Sequence, residues 1–223
     1  MKKNKTISVV ITSCGRLEYL KKTMESFLIY NNYPISEYLI IEDGQDTETI
    51  NYIKSLNIFS RIIINQKNLG QATSLNKIYQ YVTGKYVLHL EDDWEFNKKG
   101  NFIEQSIDAL NSINQIKQVW LRDCKHNNKS HYLFVKELLK TKSKYTVQVL
   151  HNKKNYKLHG FTFNPNIMRY NDFIKLYPFQ PKATEIKAGR KFYDLGFYGA
   201  ALDKGYCKHI GEISAFDIQK SQR

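Results

Sequence analysis

A chain of 223 residues, 42% of them hydrophobic, can bury one full core but not two comfortable ones, so a single domain over residues 1–223 is expected. No apolar run approaches a bilayer span, and MKKNKTISVVIT passes from a basic end straight into a strand pattern without a small-residue cleavage site, which predicts a soluble, cytoplasmic protein. The formal charge of +13 brings polyanions into view, while Cys14, Cys124 and Cys207, odd in number and widely spaced, exclude a disulfide framework or a cysteine metal site and read as reduced thiols.

Thr6–Ile11 reads as a strand, followed by a helix in which Leu17, Leu20, Met24, Phe27 and Leu28 keep helical spacing. Tyr38–Ile41 predicts a second strand, Thr47–Ser55 a helix and Ile62–Ile64 a third strand. Ala72, Leu75, Ile78, Tyr79 and Val82 then mark one face of a helix with Gly84 as its stop, and Tyr86–Leu90 is the fourth strand. Strands apolar on both faces, alternating with amphipathic helices, predict an α/β fold with a mostly parallel sheet covered on both sides. Beyond Gly100 the pattern loosens: a helix over Phe102–Leu110, a strand at Val119–Leu121, a strand over Tyr145–Leu150 and another over Leu158–Phe163 closed by Asn164–Pro165. Thr184 is placed to cap a helix running to Leu195 and stopped at Gly196, after which Phe197–Leu202, Asp203–Gly205 and Tyr206–Ile210 read as strand, turn and strand. The lysines between Arg122 and Lys157, opposed only by Asp123 and Glu137, are either a solvated face or a surface that meets an anionic acceptor or membrane.

Ligands of an open parallel sheet sit outside the carboxyl ends of its strands, so the residues following each strand form one candidate set. They are Thr12-Ser13-Cys14-Gly15-Arg16, Glu42-Asp43-Gly44, Asn68-Leu69-Gly70 and Glu91-Asp92-Asp93. Carboxylates from two loops at one rim repel unless a cation joins them. Without His or Cys at ligand spacing, the fitting cation is hard and divalent, Mg2+ or Mn2+, completed by phosphate oxygens and water. The alternative is a solvated loop or the N-cap of a short turn.

These stretches carry a resemblance. SVVITSCGRLEYLKKTMESFL, LIIEDGQDTET, NLGQATSLNKIYQYVTGKYVLHLEDDWEF, GFTFNP and YCKHIGE together resemble a GT-A fold glycosyltransferase of family 2, with the acidic triplet at the place of its DXD motif. The EDD form is also similar to enzymes of the GlcNAc-transferase I type. The resemblance implies a nucleotide-sugar-binding half over about 1–100 and an acceptor-side half over about 101–223. It implies a metal-dependent, inverting transfer from a nucleotide-sugar, with UDP and UDP-GlcNAc favoured, to a glycan, lipid-linked or protein acceptor, and no specific nucleic-acid partner. Thr12, Ser13 and Arg16 would line the nucleotide pocket, Glu42 and Asp43 would reach the base or ribose, and Asn68, Gly70 and Asn76 would shape the neighbouring loop and helix. Asp93 would bind Mn2+ or Mg2+, with Glu91 and Asp92 near the ribose, the sugar or metal-bound water, and His209 approaching the diphosphate or metal.

Glu185, near the start of a late helix, stands where such enzymes hold the general base, with Asp194 as runner-up. A first-turn acid is also favoured by the helix N-terminus alone. Trp94, Gly160 and Phe161 are candidates for the sugar or acceptor side, although Trp94 beside a buried strand also reads as packing. One departure is Ser74-Leu75-Asn76, where the family often has Ala-Arg-Asn; the missing basic contact would fall to Arg16 or a lysine. A sugar nucleotidyltransferase and a basic nucleic-acid-binding protein are the alternatives. The first wants a Gly-rich loop after the first strand, where TSCGRLEYL has one glycine; for the second no binding motif is recognisable.

Overall fold

The strand and helix periods of the first hundred residues close into a sheet whose order reverses once, and that reversal places the site. The computed structural model describes residues 7–122, 134–152, 160–182 and 184–211. In chain order the elements are β1 (Ile7–Ser13), α1 (Leu17–Tyr30), β2 (Glu37–Glu42), α2 (Thr47–Ser55), β3 (Arg61–Ile64), α3 (Gln71–Ile78), β4 (Tyr86–Glu91), β5 (Trp94–Phe96) and α4 (Phe102–Ser112). They continue with β6 (Ile116–Trp120), β7 (Phe134–Lys140), β8 (Thr146–Asn152), β9 (Asn166–Arg169), α5 (Tyr170–Phe173), α6 (Thr184–Asp194), β10 (Tyr198–Leu202) and β11 (Cys207–His209).

Among the described residues, nine strands form one sheet in the order β3-β2-β1-β4-β9-β6-β10-β8-β7. β1, β2, β3 and β4 pair in parallel, as do β6 and β10, while β9 and β8 run against their neighbours. Most strands therefore point the same way, as expected. The chain winds outward from β1 through β2 to β3 and then returns to place β4 on the other side of β1. Between β1 and β4 lies the switch point, the crevice where an open α/β sheet offers its ligand site.

Two apolar layers cover the sheet. On one face Leu20, Met24 and Phe27 of α1, Ile53 of α2 and Phe102, Ile103 and Leu110 of α4 bury against Val9, Ile11, Leu88 and Leu90. On the other, Ala72, Leu75 and Ile78 of α3, Phe173, Phe179 and Phe192 bury against Val10, Val87 and Met168. Burying a Leu or Phe side chain is worth about 1.5–3 kcal/mol, so these layers supply most of the stabilisation. α2 starts where Asp46 accepts a hydrogen bond from the Thr49 amide at 2.8 Å and so satisfies a free donor of the first turn.

The structure corrects four expectations. Residues 160–163 are not a strand, and the strand expected there begins after Pro165 as β9; Gln118 and Asn166 instead take up the Thr162 backbone in side-chain hydrogen bonds. β10 and β11 are not a hairpin, because β10 is an inner strand of the large sheet and β11 pairs with β5 in a separate two-stranded sheet. α3 ends at Ile78 and passes through a 3-10 turn over Tyr79–Tyr81, so Gly84 does not stop it; Gly84 is small because a Cβ there would meet the Ser8 amide at 2.7 Å. Thr184 does not cap α6 through its hydroxyl, which donates to the Gln180 carbonyl at 3.0 Å.

β5 and β7 lack a usable sequence period. Cys14 and Cys207 are free thiols, and Cys124 lies outside the described residues, as do residues 123–133 and 153–157 of the basic run 122–157; Lys140, Lys142 and Lys144 of that run are exposed. Among the described residues no helix is long and apolar enough to cross a membrane.

Candidate functional site

The loops after β1, β2, β3 and β4 meet at one rim, and buried carboxylates tie them together. Glu42, fully buried at the end of β2, accepts hydrogen bonds on one oxygen from the Gly15 amide at 2.8 Å and the Gly44 amide at 2.5 Å, joining the first loop to the second. Its parallel partner Ser13 is buried beside it at the end of β1. Burial raises the Glu42 pKa, with these hydrogen bonds opposing the rise. Asp43 ties the second loop to the third by accepting from Asn65 Nδ2 at 2.7 Å and from the amides of Leu69 and Gly70 at 2.8 Å each. Gly70 has φ +79°, the left-handed conformation that glycine adopts without steric penalty. The Asn68 side chain reaches Cys14 Sγ at 3.3 Å and folds back onto the Gly70 amide at 3.0 Å. The Glu42 and Asp43 carboxylates thus face neighbouring backbone.

β4 delivers the acidic triplet. Arg16, just before α1, is the cation that meets it. Its guanidinium grips both oxygens of Asp92, with Nε at 3.3 Å from Oδ2, and places a further nitrogen 2.9 Å from Asp93 Oδ2. The Cys14 amide adds a hydrogen bond to Asp92 Oδ2 at 3.1 Å. Asp92 is only 2% exposed, and burial holds its pKa above the ordinary value despite Arg16. On Arg16 burial works downward, but Asp92 and Asp93 outweigh it and strengthen the guanidinium as a base. The Cys14 thiol is pushed up to about 12 by burial and by Asp43, Glu42 and Asp92, so it stays protonated and is no nucleophile.

Two hydroxyls of α1 hold the turn that presents these acids. Thr23 Oγ1 donates to the Asp92 carbonyl at 2.8 Å and accepts from the Trp94 amide at 3.0 Å, and Ser26 Oγ accepts from the Phe96 amide at 3.0 Å. Their sequence signal is a pair of small hydroxyl residues three apart on an otherwise apolar helix face, which periodicity alone passes over. From the far side the C-terminal run closes in. The Ile210 amide donates to the Asp93 carbonyl at 2.9 Å, His209 Nε2 lies 3.2 Å from Asp93 Oδ2, and a Cβ on Gly211 would come within 2.4 Å of that same oxygen.

Glu91 is partly buried. It accepts from Gln71 Nε2 at 3.2 Å and lies 3.4 Å from Trp94 Nε1. Burial, Asp93, Glu185 and Asp92 together push its pKa up to about 8. Glu185, in the first turn of α6, is thus close enough to Glu91 for their charges to interact. Asp194, nine residues further on, stands roughly 13 Å away along the helix axis and is exposed at its other end.

The remaining candidates are less directed at this rim. Thr12 lies 3.5 Å from the Leu90 carbonyl, between β1 and β4. Asn76 spends its whole carboxamide on Phe179, donating to the carbonyl and accepting from the amide at 2.9 Å each. Trp94 and Phe161 are buried in the core, the former against the His209 ring and the latter against Phe163 and Phe192, while the Gly160 carbonyl accepts from Trp120 Nε1 at 3.1 Å. Beside the Asn68–Gly70 loop, a groove of about 560 Å³ is lined by Ile64, Gln66, Lys67, Leu69 and Lys77. Neither Lys67 nor Lys77 belongs to the sequence-derived set.

Among the described residues no group of three or more His, Cys, Asp or Glu side chains is arranged to hold a metal ion. The rim offers instead the pair Asp93 and His209. That donor set fits a divalent ion that keeps waters and takes further oxygens from a bound phosphate. Arg16, already on Asp93, would share the site with it.

Residues 8–177 match the family described as "Glycosyl transferase family 2". No curated protein matches the chain. Among solved structures, the chain is similar to GalNAc-T7 with UDP, GalNAc and Mn2+ at 14% identity and a TM-score of 0.63, covering 91% of this chain and 43% of that one. It is similar to the mannosyltransferase PcManGT from Pyrobaculum calidifontis in complex with GDP-Man and Mn2+ at 11% identity and a TM-score of 0.67, covering 99% and 62%. A third is S. aureus TarS 1-349 in complex with UDP-GlcNAc, at 15% identity and a TM-score of 0.63, covering 94% and 61%. At these identities the likeness shows a shared GT-A fold, and the chain spans roughly half the length of the structures it resembles.

Proposed function

The chain belongs to glycosyl transferase family 2, and from that premise we propose that it moves a sugar, with inversion, from a nucleotide-sugar to an acceptor hydroxyl. The observation that carries the reading is the meeting of Arg16 from the β1 loop with Asp92 and Asp93 from the β4 loop at the switch point of the sheet. The solved relatives, described with UDP-GlcNAc, UDP and GDP-Man, support a nucleotide-sugar donor. Family membership favours this class over the nucleotidyltransferase and nucleic-acid-binding alternatives.

The nucleotide lies along the loops after β1, β2 and β3. With Arg16 engaged by the acids, Lys67 and Lys77 in the groove beside Asn68 and Gly70 are the basic residues that replace the arginine missing from Ser74-Leu75-Asn76. Glu91-Asp92-Asp93 acts as a variant of the DXD motif, and the EDD form favours UDP-GlcNAc as donor. Asp93 and His209 would hold Mn2+ or Mg2+, which when bound supplies positive charge where the leaving diphosphate becomes more negative. Glu185 takes the proton from the acceptor hydroxyl as its oxygen bonds to the anomeric carbon; the bond from that carbon to the diphosphate breaks, and its electron pair leaves with the diphosphate. The acceptor is a glycan, a lipid-linked sugar or a protein. Exposed Ile186, Lys187 and Arg190 on α6, next to Glu185, support approach by an anionic acceptor or membrane surface.

A thermal-shift panel of UDP- and GDP-sugars, each with Mn2+, with Mg2+ and without metal, tests the reading, because a ligand that binds only the folded chain raises its midpoint. A metal-dependent rise for at least one nucleotide-sugar is expected; no rise with any of them overturns the proposal.

A further inference from the structure

We propose that Arg122 anchors an anionic group, a carboxylate or a phosphate, on the sugar side of the substrates, making this enzyme selective for a charged sugar or a charged acceptor. The inference rests on the glycosyltransferase reading and adds a substrate class to it.

Arg122 follows β6 directly and is 8% exposed. Its guanidinium lies over the Trp120 ring, 4.6 Å from the centroid, and makes no ion pair with any carboxylate among the described residues. Stacking satisfies the flat face of a guanidinium but none of its five in-plane N–H donors, and Arg122 Nε is buried without a hydrogen-bond partner. A buried donor left unpaired costs about 1–3 kcal/mol, more when charged, so a fold keeps one where a ligand completes it. Arg16, by contrast, is engaged by two aspartates on the same rim.

The register gives Arg122 its place. His89 of β4, Asn166 of β9 and Trp120 of β6 share one row across the sheet. Side chains two residues apart on a strand share a face, so Glu91 and Arg122 occupy the next row toward the rim, two strand spacings or roughly 10 Å apart. The nucleotide side of the crevice lies beyond Glu91, toward β1 and β2. Arg122 is on the opposite side, where the transferred sugar and the acceptor must meet. The residues beneath it are fixed: Trp120 Nε1 donates to Gln118 Oε1 at 2.9 Å and to the Gly160 carbonyl at 3.1 Å, and Gln118 bonds the Thr162 backbone in both directions. Asp92 and Asp93 already engage Arg16 on the other side of the crevice, so Arg122 is the buried cation there that has no carboxylate partner among the described residues and is left for an anionic group on the sugar or acceptor.

The test uses the full chain as wild type, Arg122→Gln and Arg122→Lys, with Mn2+ and the nucleotide chosen by the thermal-shift panel. Two ligand pairs are titrated: on the donor side the glucuronate and glucose conjugates of that nucleotide, and on the acceptor side glucose 6-phosphate and glucose in the presence of the free nucleotide. In one pair the charged member should bind wild type at least tenfold more tightly. Arg122→Gln should erase that preference while changing affinity for the free nucleotide less than twofold, and Arg122→Lys should keep part of it. Whichever pair responds identifies the substrate that carries the charge. Absence of a preference in both pairs, or a preference that survives Arg122→Gln, overturns the proposal. Equal loss of every ligand in both variants, with a lowered Tm, would make Arg122 a packing residue and overturn it too. Failure of the free nucleotide to bind wild type overturns the glycosyltransferase reading itself.

Discussion

Replacing Arg16 by Gln removes the one cation shared by two buried carboxylates. Asp92 and Asp93 are 2% and 7% exposed, and the ion pairs lie close enough that Asp92 is held on both oxygens. Removing one partner of a buried pair typically costs about 3–5 kcal/mol, and the outer edge of Arg16 still meets water, so about 3 kcal/mol is expected near neutral pH. For a chain of this size that is a fall of about 6–12 °C in Tm. The loss must depend on pH. Burial already raises the Asp92 pKa, and without Arg16 it rises further. A carboxyl raised in the fold favours folding while protonated and gives that stabilisation back as pH rises through its folded value, so the variant's deficit should be small in acid and grow toward neutral pH. Urea denaturation at several pH values measures it. Adding Asp92→Asn to Arg16→Gln should recover at least about 1 kcal/mol of the loss, because the stranded charge disappears with its partner. A deficit that does not change with pH, or one that Asp92→Asn deepens, would refute the electrostatic account of the rim.

With the Glu91 pKa at about 8, raised first by burial and then by Asp93 and Glu185, the metal-free protein should lose Tm as pH rises from weakly acidic to that value; Glu91→Gln should flatten the profile. Asn76→Ala breaks two backbone hydrogen bonds to Phe179 and should cost about 2–3 kcal/mol by urea denaturation, with nucleotide affinity nearly unchanged. Glu185→Gln should lower kcat by about 10²–10⁴-fold while donor KM moves little, whereas Asp194→Asn, at the far end of α6, should leave both near wild type; the reverse pattern in steady-state kinetics would move the base to Asp194.

The first ninety residues were legible because each strand and helix there carries its own period and each strand end its own polar loop, whereas β5, three residues long, carries none. The second half was harder for a physical reason. β9 is short and follows a proline, so no local pattern announces it, and although Tyr206–Ile210 reads as a strand, β11 pairs with a strand more than a hundred residues earlier, a partner that no local pattern names. The acidic rim could be found from Glu91-Asp92-Asp93 alone, since three carboxylates on a buried strand's end demand a cation. Which cation reaches them first could not, because Arg16 reads equally as a nucleotide contact until the fold brings it onto Asp92. Glu42 and Asp43 teach the same lesson. Their position marks the rim, but one Glu42 oxygen and both Asp43 oxygens are committed to the Gly15, Gly44, Leu69 and Gly70 amides, partners that only tertiary structure supplies.

The central claim is that Asp93 helps to hold a divalent ion against a nucleotide diphosphate at the switch point of the sheet. Calorimetric titration of UDP and GDP into wild type and Asp93→Ala, each with and without Mn2+, tests it most directly. Wild type should bind one of the two nucleotides at least tenfold more tightly with Mn2+ present, and Asp93→Ala should lose that gain while keeping the metal-independent affinity. Binding that ignores Mn2+ in wild type, or an Mn2+ effect that persists in Asp93→Ala, would contradict it.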